Sequence, residues 1–213
     1  MNDLCVDVGY RSLNKLGEQS CGDMVQIIRE GENTVLVLAD GLGSGVKANI
    51  LSTLTSKIIA TMIASGMSVE ECVNTIIATL PVCKTRGVAY STFTIIRISG
   101  NDTAEIIQYD NPDVILLRNG KHYDYPVTKR TISGKTISES RISLQCGDVF
   151  IAMSDGTIYA GVGQTMNYGW QRDNIVEYVE THYDNQLSAQ AFSSMIVDAC
   201  NDLYQNQPGD DTT

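Results

Sequence analysis

The sequence predicts an α+β protein whose antiparallel sheets are covered by helices. Three observations predict it. Strand-like and helix-like stretches come in blocks, two strands, two helices, a long run of strands and two more helices, with no βαβ alternation. The links within the strand blocks are short and rich in Gly, Asn and Asp, which favours antiparallel pairing. No internal repeat or low-complexity linker divides the 213 residues, so 1–213 is read as a single domain.

The elements follow in order. Residues 24–28 and 34–39 are apolar β runs joined by Arg29-Glu30-Gly31-Glu32-Asn33, a hairpin signal. Residues 46–64 carry Ile50, Leu51, Leu54, Ile58, Met62 and Ile63 at helical spacing, and Gly66 ends the pattern. Ser68 with Glu71 three residues on forms a capping box for a second helix, with Val73, Ile76, Ile77 and Leu80 as its stripe and Pro81 after it. Both helices are expected to cover one face of a sheet. Residues 88–98, 104–109, 114–117 and 149–153 read as strands, with 141–144 a weaker one. Turns at Ser99-Gly100-Asn101-Asp102, Asn111-Pro112-Asp113, Asn119-Gly120 and Gly147-Asp148 separate them. Residues 170–182 and a stretch capped by Ser188, with Phe192, Met195, Ile196, Ala199 and Leu203 on one face, close the chain as helices.

Composition excludes several functions. The net charge of −10 opposes a nucleic-acid surface, which needs a basic face. The local basic group Lys129, Arg130, Lys135 and Arg141 reads as a solvated loop. His122 and His182 are the only histidines, both expected at the surface, so Ser-His-Asp and Cys-His chemistry lack a base. Cys5, Cys21, Cys72, Cys83, Cys146 and Cys200 form no C-x-x-C pair and read as buried free thiols of a reducing compartment. No apolar run approaches the ~20 residues of a membrane span, and Met1-Asn2-Asp3-Leu4 lacks a signal-peptide pattern, so a cytoplasmic place is expected.

The chemistry lies in aspartates beside glycines. Asp40 ends the run Val35–Ala39 and opens Gly41-Leu42-Gly43-Ser44-Gly45. Asp155 ends Val149–Ser154 and precedes Gly156. Asp23 follows Gly22, and Asp210 with Asp211 follows Gly209. An aspartate directly after an apolar strand cannot enter the core and must stand at the rim of the sheet. Carboxylates gathered at one rim repel, by on the order of 4 kcal/mol for two unit charges about 4 Å apart near a surface. Hard cations with oxygen ligands relieve that repulsion. The Gly-rich turn matches neither a P-loop nor a dinucleotide fingerprint, because Asp40 would face the pyrophosphate and no βαβ unit surrounds it.

Taken together these motifs resemble the metal-dependent protein phosphatases of the protein phosphatase 2C-like superfamily, in the bacterial branch of the stage II sporulation E phosphatase. Asp40-Gly41-Leu42-Gly43-Ser44-Gly45 is similar to the family's D-G-x-G-x-G turn, and Gly147-Asp148 through Ser154-Asp155-Gly156 to its G-D…S-D-G strand. Asn111-Pro112 to Asn119-Gly120 resembles its central hairpin, and Asp210-Asp211-Thr212-Thr213 its closing D-D-x-T. The resemblance implies a four-layer α-β-β-α sandwich of two antiparallel sheets flanked by helices. It implies two Mn²⁺ or Mg²⁺ ions, with Asp40 bridging both, the Gly41 carbonyl on one, Asp155 and Asp210 on the other, and Asp23 contributing through a water. Asp211 is the less favoured ligand of the final pair. Asp40 and Asp155 would then act in catalysis through metal-bound water, on a phosphoserine or phosphothreonine protein. Known substrates of the branch include anti-anti-sigma proteins, and the helices at 46–80 match its metal-controlling switch.

Three departures accompany the resemblance. Leu42 stands where other members carry a histidine proposed as general acid. No obvious phosphate-clamping arginine precedes Asp23, and Arg11 is the only arginine upstream of it. The chain stops at Thr213, where the family continues into a final strand. The alternative reading is a catalytically weak or inactive member that serves as a regulatory partner-binding module.

Overall fold

The computed structural model describes residues 4–79, 91–100 and 102–213. Cys83, Leu80 with Pro81, residues 88–90 of the third expected strand, Asn101, and residues 1–3 lie outside the described residues.

One sheet has the order β1-β2-β3-β4-β8-β7. Its strands are β1 (Asp23–Glu30), β2 (Asn33–Gly41), β3 (Ser91–Ser99), β4 (Thr103–Tyr109), β7 (Thr128–Ile132) and β8 (Lys135–Ser143). The second, of order β6-β5-β9, comprises β5 (Ile115–Arg118), β6 (Lys121–His122) and β9 (Val149–Ile151). Every pairing between these strands, among the described residues, is antiparallel. The helices are α1 (Gly45–Ala64), α2 (Val69–Thr79), the short α3 (Asp155–Ile158), α4 (Arg172–Thr181) and α5 (Ala189–Leu203).

The two-residue alternation of the strands separates three cores. Val35, Val37, Phe93, Ile95, Ile107 and Tyr109 face α1 and α2, where Ile59, Ile63, Val73 and Ile76 meet them. The alternate residues Ile96, Ile98, Ala104 and Ile106 face the second sheet and meet Val114 and Leu116. Ile115 and Leu117, on the other face of β5, pack against Ile175, Val179, Phe192 and Ile196 of α4 and α5. The result is the expected α-β-β-α layering of two antiparallel sheets. Each fully buried branched side chain contributes about 1.5–3 kcal/mol.

Three elements differ from expectation. Lys129, Arg130, Lys135 and Arg141 belong to a hairpin, β7–β8, rather than a loop. Ser133 and Gly134 turn it with φ of 47° and 79°, the left-handed pair that a two-residue hairpin needs. Arg130 pairs with Glu139, and Arg141 with Glu105, so these cations are tied down along the sheet. On α1 the buried face is the small one, Ala48, Leu51, Ser52, Thr55, Ser56, Ile59, Ala60 and Ile63, while Ile50 and Leu54 join Val46 on an exposed stripe. Small residues let the helix backbone lie against the sheet: a Cβ at Gly41 would stand 2.1 Å from the Ala48 carbonyl oxygen. Among the described cysteines, all free, Cys72 and Cys200 are buried, but Cys5 and Cys146 are exposed.

The capping box at α2 forms as read. The Glu71 amide donates to Ser68 Oγ at 3.2 Å, and the Ser68 amide donates back to Glu71 Oε2 at 2.8 Å. Ser68→Ala is therefore expected to cost about 1 kcal/mol, a fall of roughly 2–4 °C in Tm for a chain of this size. A thermal melt by circular dichroism checks it. Among the described residues no helix is long and apolar enough to cross a membrane.

Candidate metal centre

Register brings the first two carboxylates together. β1 and β2 turn through Gly31-Glu32, and the pairing Glu30 with Asn33 runs down the ladder to set Asp23 opposite Asp40. Like charges directly across a ladder are unfavourable, so this pair is held against its own repulsion. Asp23 is 3 % exposed, and neither of its carboxylate oxygens has a hydrogen-bond partner. The Ser154 hydroxyl stands near it but is engaged with Thr213, accepting from its amide at 3.0 Å.

The third carboxylate, Asp155, opens α3 after the extended Ser154. The last pair sits in the C-terminal segment, which a bridge between Leu13 and Thr212 fastens to the N-terminal stretch. Asp211 is 4 % exposed. Its Oδ1 accepts from the Lys15 amide at 3.0 Å, while its Oδ2 is buried without a partner. Asp210 is half-buried, with the Lys15 ammonium 3.8 Å away. Glycines permit the approach of this segment: a Cβ at Gly22 would lie 2.7 Å from Asp211 Oδ2, and one at Gly156 would lie 2.0 Å from the Asp211 carbonyl oxygen.

Asp40, Asp155, Asp210 and Asp211 line one open cavity of about 790 Å³, and Asp23 lies buried across the ladder from Asp40. Burial, then the charges of Asp23, Asp155, Asp210 and Asp211, push the Asp40 carboxyl up to about 9. Burial is the main cause that lifts Asp23 to about 7, with Asp211 and Asp155 adding to it and the nearby Ser154 and Thr213 hydroxyls opposing. Asp155 is raised by crowding from the protein, then by Asp210 and by Asp110, although its exposed side chain lets water screen much of the push. Asp210 is raised by partial burial, against the pull of Lys15 and of the Asp211 amide.

Such a set suits hard divalent cations, which take carboxylate oxygens and cancel their repulsion. The fit rests on charge and on the orphaned oxygens of Asp23 and Asp211. Among the described residues no group of three or more His, Cys, Asp or Glu side chains is placed to hold an ion as it stands. Of the sequence-predicted carboxylates, Asp40, Asp155 and Asp210 line the cavity, and Asp23 is buried across the ladder from Asp40.

Several other groups share the cavity without a sequence signal: Lys15, Ser91, Thr92, Asp110, Asp113 and Arg172. Asp110 takes a φ of 55°, in the left-handed region that Asn and Asp tolerate best. Arg11 does not reach the carboxylates; it pairs with Asp198 of α5 at 2.6 Å. His182 is exposed at the end of α4. The N-terminus of α1, which a nucleotide phosphate would need, is met by Glu18, whose Oε1 accepts from Ser44 Oγ at 2.9 Å.

Two antiparallel sheets between helix pairs, with carboxylates from both ends of the chain in one cavity, define the architecture of the protein phosphatase 2C class. The stage II sporulation protein E family model matches residues 30–213, and the chain belongs to that family. No match is found among curated proteins. Among solved structures, the phosphatase domain of the cell-fate determinant SpoIIE from Bacillus subtilis aligns with 96 % of this chain and 87 % of its own, at 19 % identity and a TM-score of 0.69. RsbX in complex with magnesium aligns over 95 % and 89 %, at 21 % identity and a TM-score of 0.63. The catalytic domain of the serine/threonine protein phosphatase PstP, in complex with two manganese ions, aligns over 95 % and 93 %, at 15 % identity and a TM-score of 0.58. At these identities the likeness is one of fold.

Proposed function

We propose that residues 1–213 form one phosphatase domain that hydrolyses phosphoserine or phosphothreonine in a protein, in the cytoplasm, with two Mn²⁺ or Mg²⁺ ions. The carrying observation is the convergence of Asp40, Asp155, Asp210 and Asp211 on one cavity with Asp23 buried beside them. Asp23, Asp40, the Gly41 carbonyl, Asp155 and Asp210 would hold the ions, and the orphaned Oδ2 of Asp211 makes that residue a second candidate in the closing pair. Bound there, the ions would supply Lewis acidity and lower the pKa of water towards neutrality. The chain's part is to hold Asp23 and Asp40 on paired strands, Asp155 at the start of a helix and Asp210 on the bridged C-terminal segment. Leu42 lines the cavity where a proton donor could stand, so the leaving alkoxide takes its proton from solvent. The family likeness makes a phosphorylated regulator of the anti-anti-sigma type the substrate to try first.

The test is hydrolysis of a phosphoserine peptide with Mn²⁺ against the same reaction in chelator. Metal-dependent turnover is expected, and turnover indifferent to chelator overturns the reading. A rival reading, a binding module that keeps the fold without catalysis, draws on the lack of a closed ligand cluster among the described residues. Calorimetry with Mn²⁺ separates them: binding at two sites favours the enzyme, and none favours the module.

A further inference from the structure

We propose that Arg172 is the phosphate-gripping residue of this cavity and takes the phosphoryl oxygens of a phosphomonoester. The assignment rests on the phosphatase reading and names how its substrate is held.

Asp40, Asp110, Asp113, Asp155, Asp210 and Asp211 line the cavity, against Lys15 and Arg172 as its only cations among the described residues. Even with divalent ions bound, a dianionic phosphate meets a strongly acidic surround and needs a cation that no carboxylate has already taken. Lys15 already has a carboxylate beside its ammonium, Asp210 at 3.8 Å. Arg11, Arg97, Arg118, Arg130 and Arg141 each pair with a carboxylate, but Arg172 enters no ion pair among the described residues. Its neighbour Asp113 offers the backbone carbonyl, 3.5 Å from Arg172 Nε, and not its side chain. Arg172 Nη2 lies 3.3 Å from His122 Nε2, which accepts through its lone pair. These two contacts orient the guanidinium and leave donors of its planar fork for a tetrahedral anion.

The scaffold holds this arrangement. Arg172 is the first residue of α4 and is half-buried. The amide of Gln171 before it donates to the Ile158 carbonyl at 2.9 Å, which couples the start of α4 to the helix that begins at Asp155. The His122 amide donates to Glu180 Oε1 at 2.7 Å and ties β6 to the far end of α4. The arginine and the carboxylate therefore ride on joined elements.

Arg172→Gln and Arg172→Lys test the assignment, with Arg130→Gln on the remote β7–β8 hairpin as control. Inorganic phosphate is titrated by calorimetry into Mg²⁺-loaded protein, and KM and kcat are measured with a phosphoserine peptide. In Arg172→Gln the phosphate Kd and the KM are expected to rise about tenfold, the worth of one charge-assisted hydrogen bond. Arg172→Lys recovers part of the loss, and metal affinity is unchanged. Equal phosphate affinity in wild type and Arg172→Gln overturns the assignment, as does wild type that binds no phosphate, or a loss explained by weaker metal binding. If wild type binds phosphate through Arg172 but turns over no peptide, the phosphatase reading falls and the anion site stands.

Discussion

Asp40→Asn is expected to lower phosphopeptide hydrolysis by at least about a thousandfold while making the metal-free protein more stable. The loss follows from several kcal/mol of transition-state charge stabilisation that bound cations supply, at 1.36 kcal/mol per factor of ten. The gain follows from the position of Asp40, opposite Asp23 and within the fields of Asp155, Asp210 and Asp211. Its carboxyl is raised to about 9 in the fold, against about 3.9 in an unfolded chain. A raised acid takes up a proton on folding, so its stabilising protonation is complete at low pH and is lost as pH climbs. The metal-free protein should therefore melt at progressively lower temperature between pH 4 and pH 9. Mn²⁺ should raise the melting temperature most at the upper end, and Asp40→Asn should flatten the metal-free profile. Differential scanning fluorimetry across pH, with and without chelator, reads all three. A metal-free Tm that rises over that range contradicts the electrostatic account.

Gly156→Ala should be strongly destabilising. The added Cβ would stand 2.0 Å from the Asp211 carbonyl oxygen and 2.7 Å from Thr212 Oγ1. The chain cannot yield there, because Thr212 is buried and bridged to Leu13, and the Ser154 amide donates to the Thr213 carbonyl at 3.0 Å. Overpacking of this kind costs about 3 kcal/mol, or roughly 6–12 °C in Tm. Because the displaced segment carries Asp210 and Asp211, Mn²⁺ affinity should fall together with stability. A variant with normal metal binding and a normal melt would show that the segment is looser than its contacts indicate.

The layering was legible because β2, β3, β4 and β5 are largely apolar runs joined by short turns, and because blocks of strands and helices exclude a parallel sheet. Among the aspartates of the cavity, Asp40, Asp155 and Asp210 stand out in the sequence for a local reason: the first two follow apolar runs and the third a glycine, where a charge has few places to go. What escaped the sequence has equally local causes. The β7 strand, Thr128-Lys129-Arg130-Thr131-Ile132, is exposed at all but its last residue, so no apolar alternation marks it, and only Ser133-Gly134 announces its turn. Helix α1 has two apolar stripes, and hydrophobicity favours the wrong one. The stripe with Ile50 is bulkier, but contact with Gly41 demands Ala48 and its small neighbours. Lys15, Asp110 and Arg172 reach the cavity from segments with no motif, and only tertiary structure unites them.

Glu18 at the head of α1 has a wider consequence. A glycine-rich corner between a strand and a helix would ordinarily tempt the abundant triphosphates of a living cell. Here the polypeptide furnishes its own anion to that corner, so fluctuations in cellular energy charge should leave it untouched.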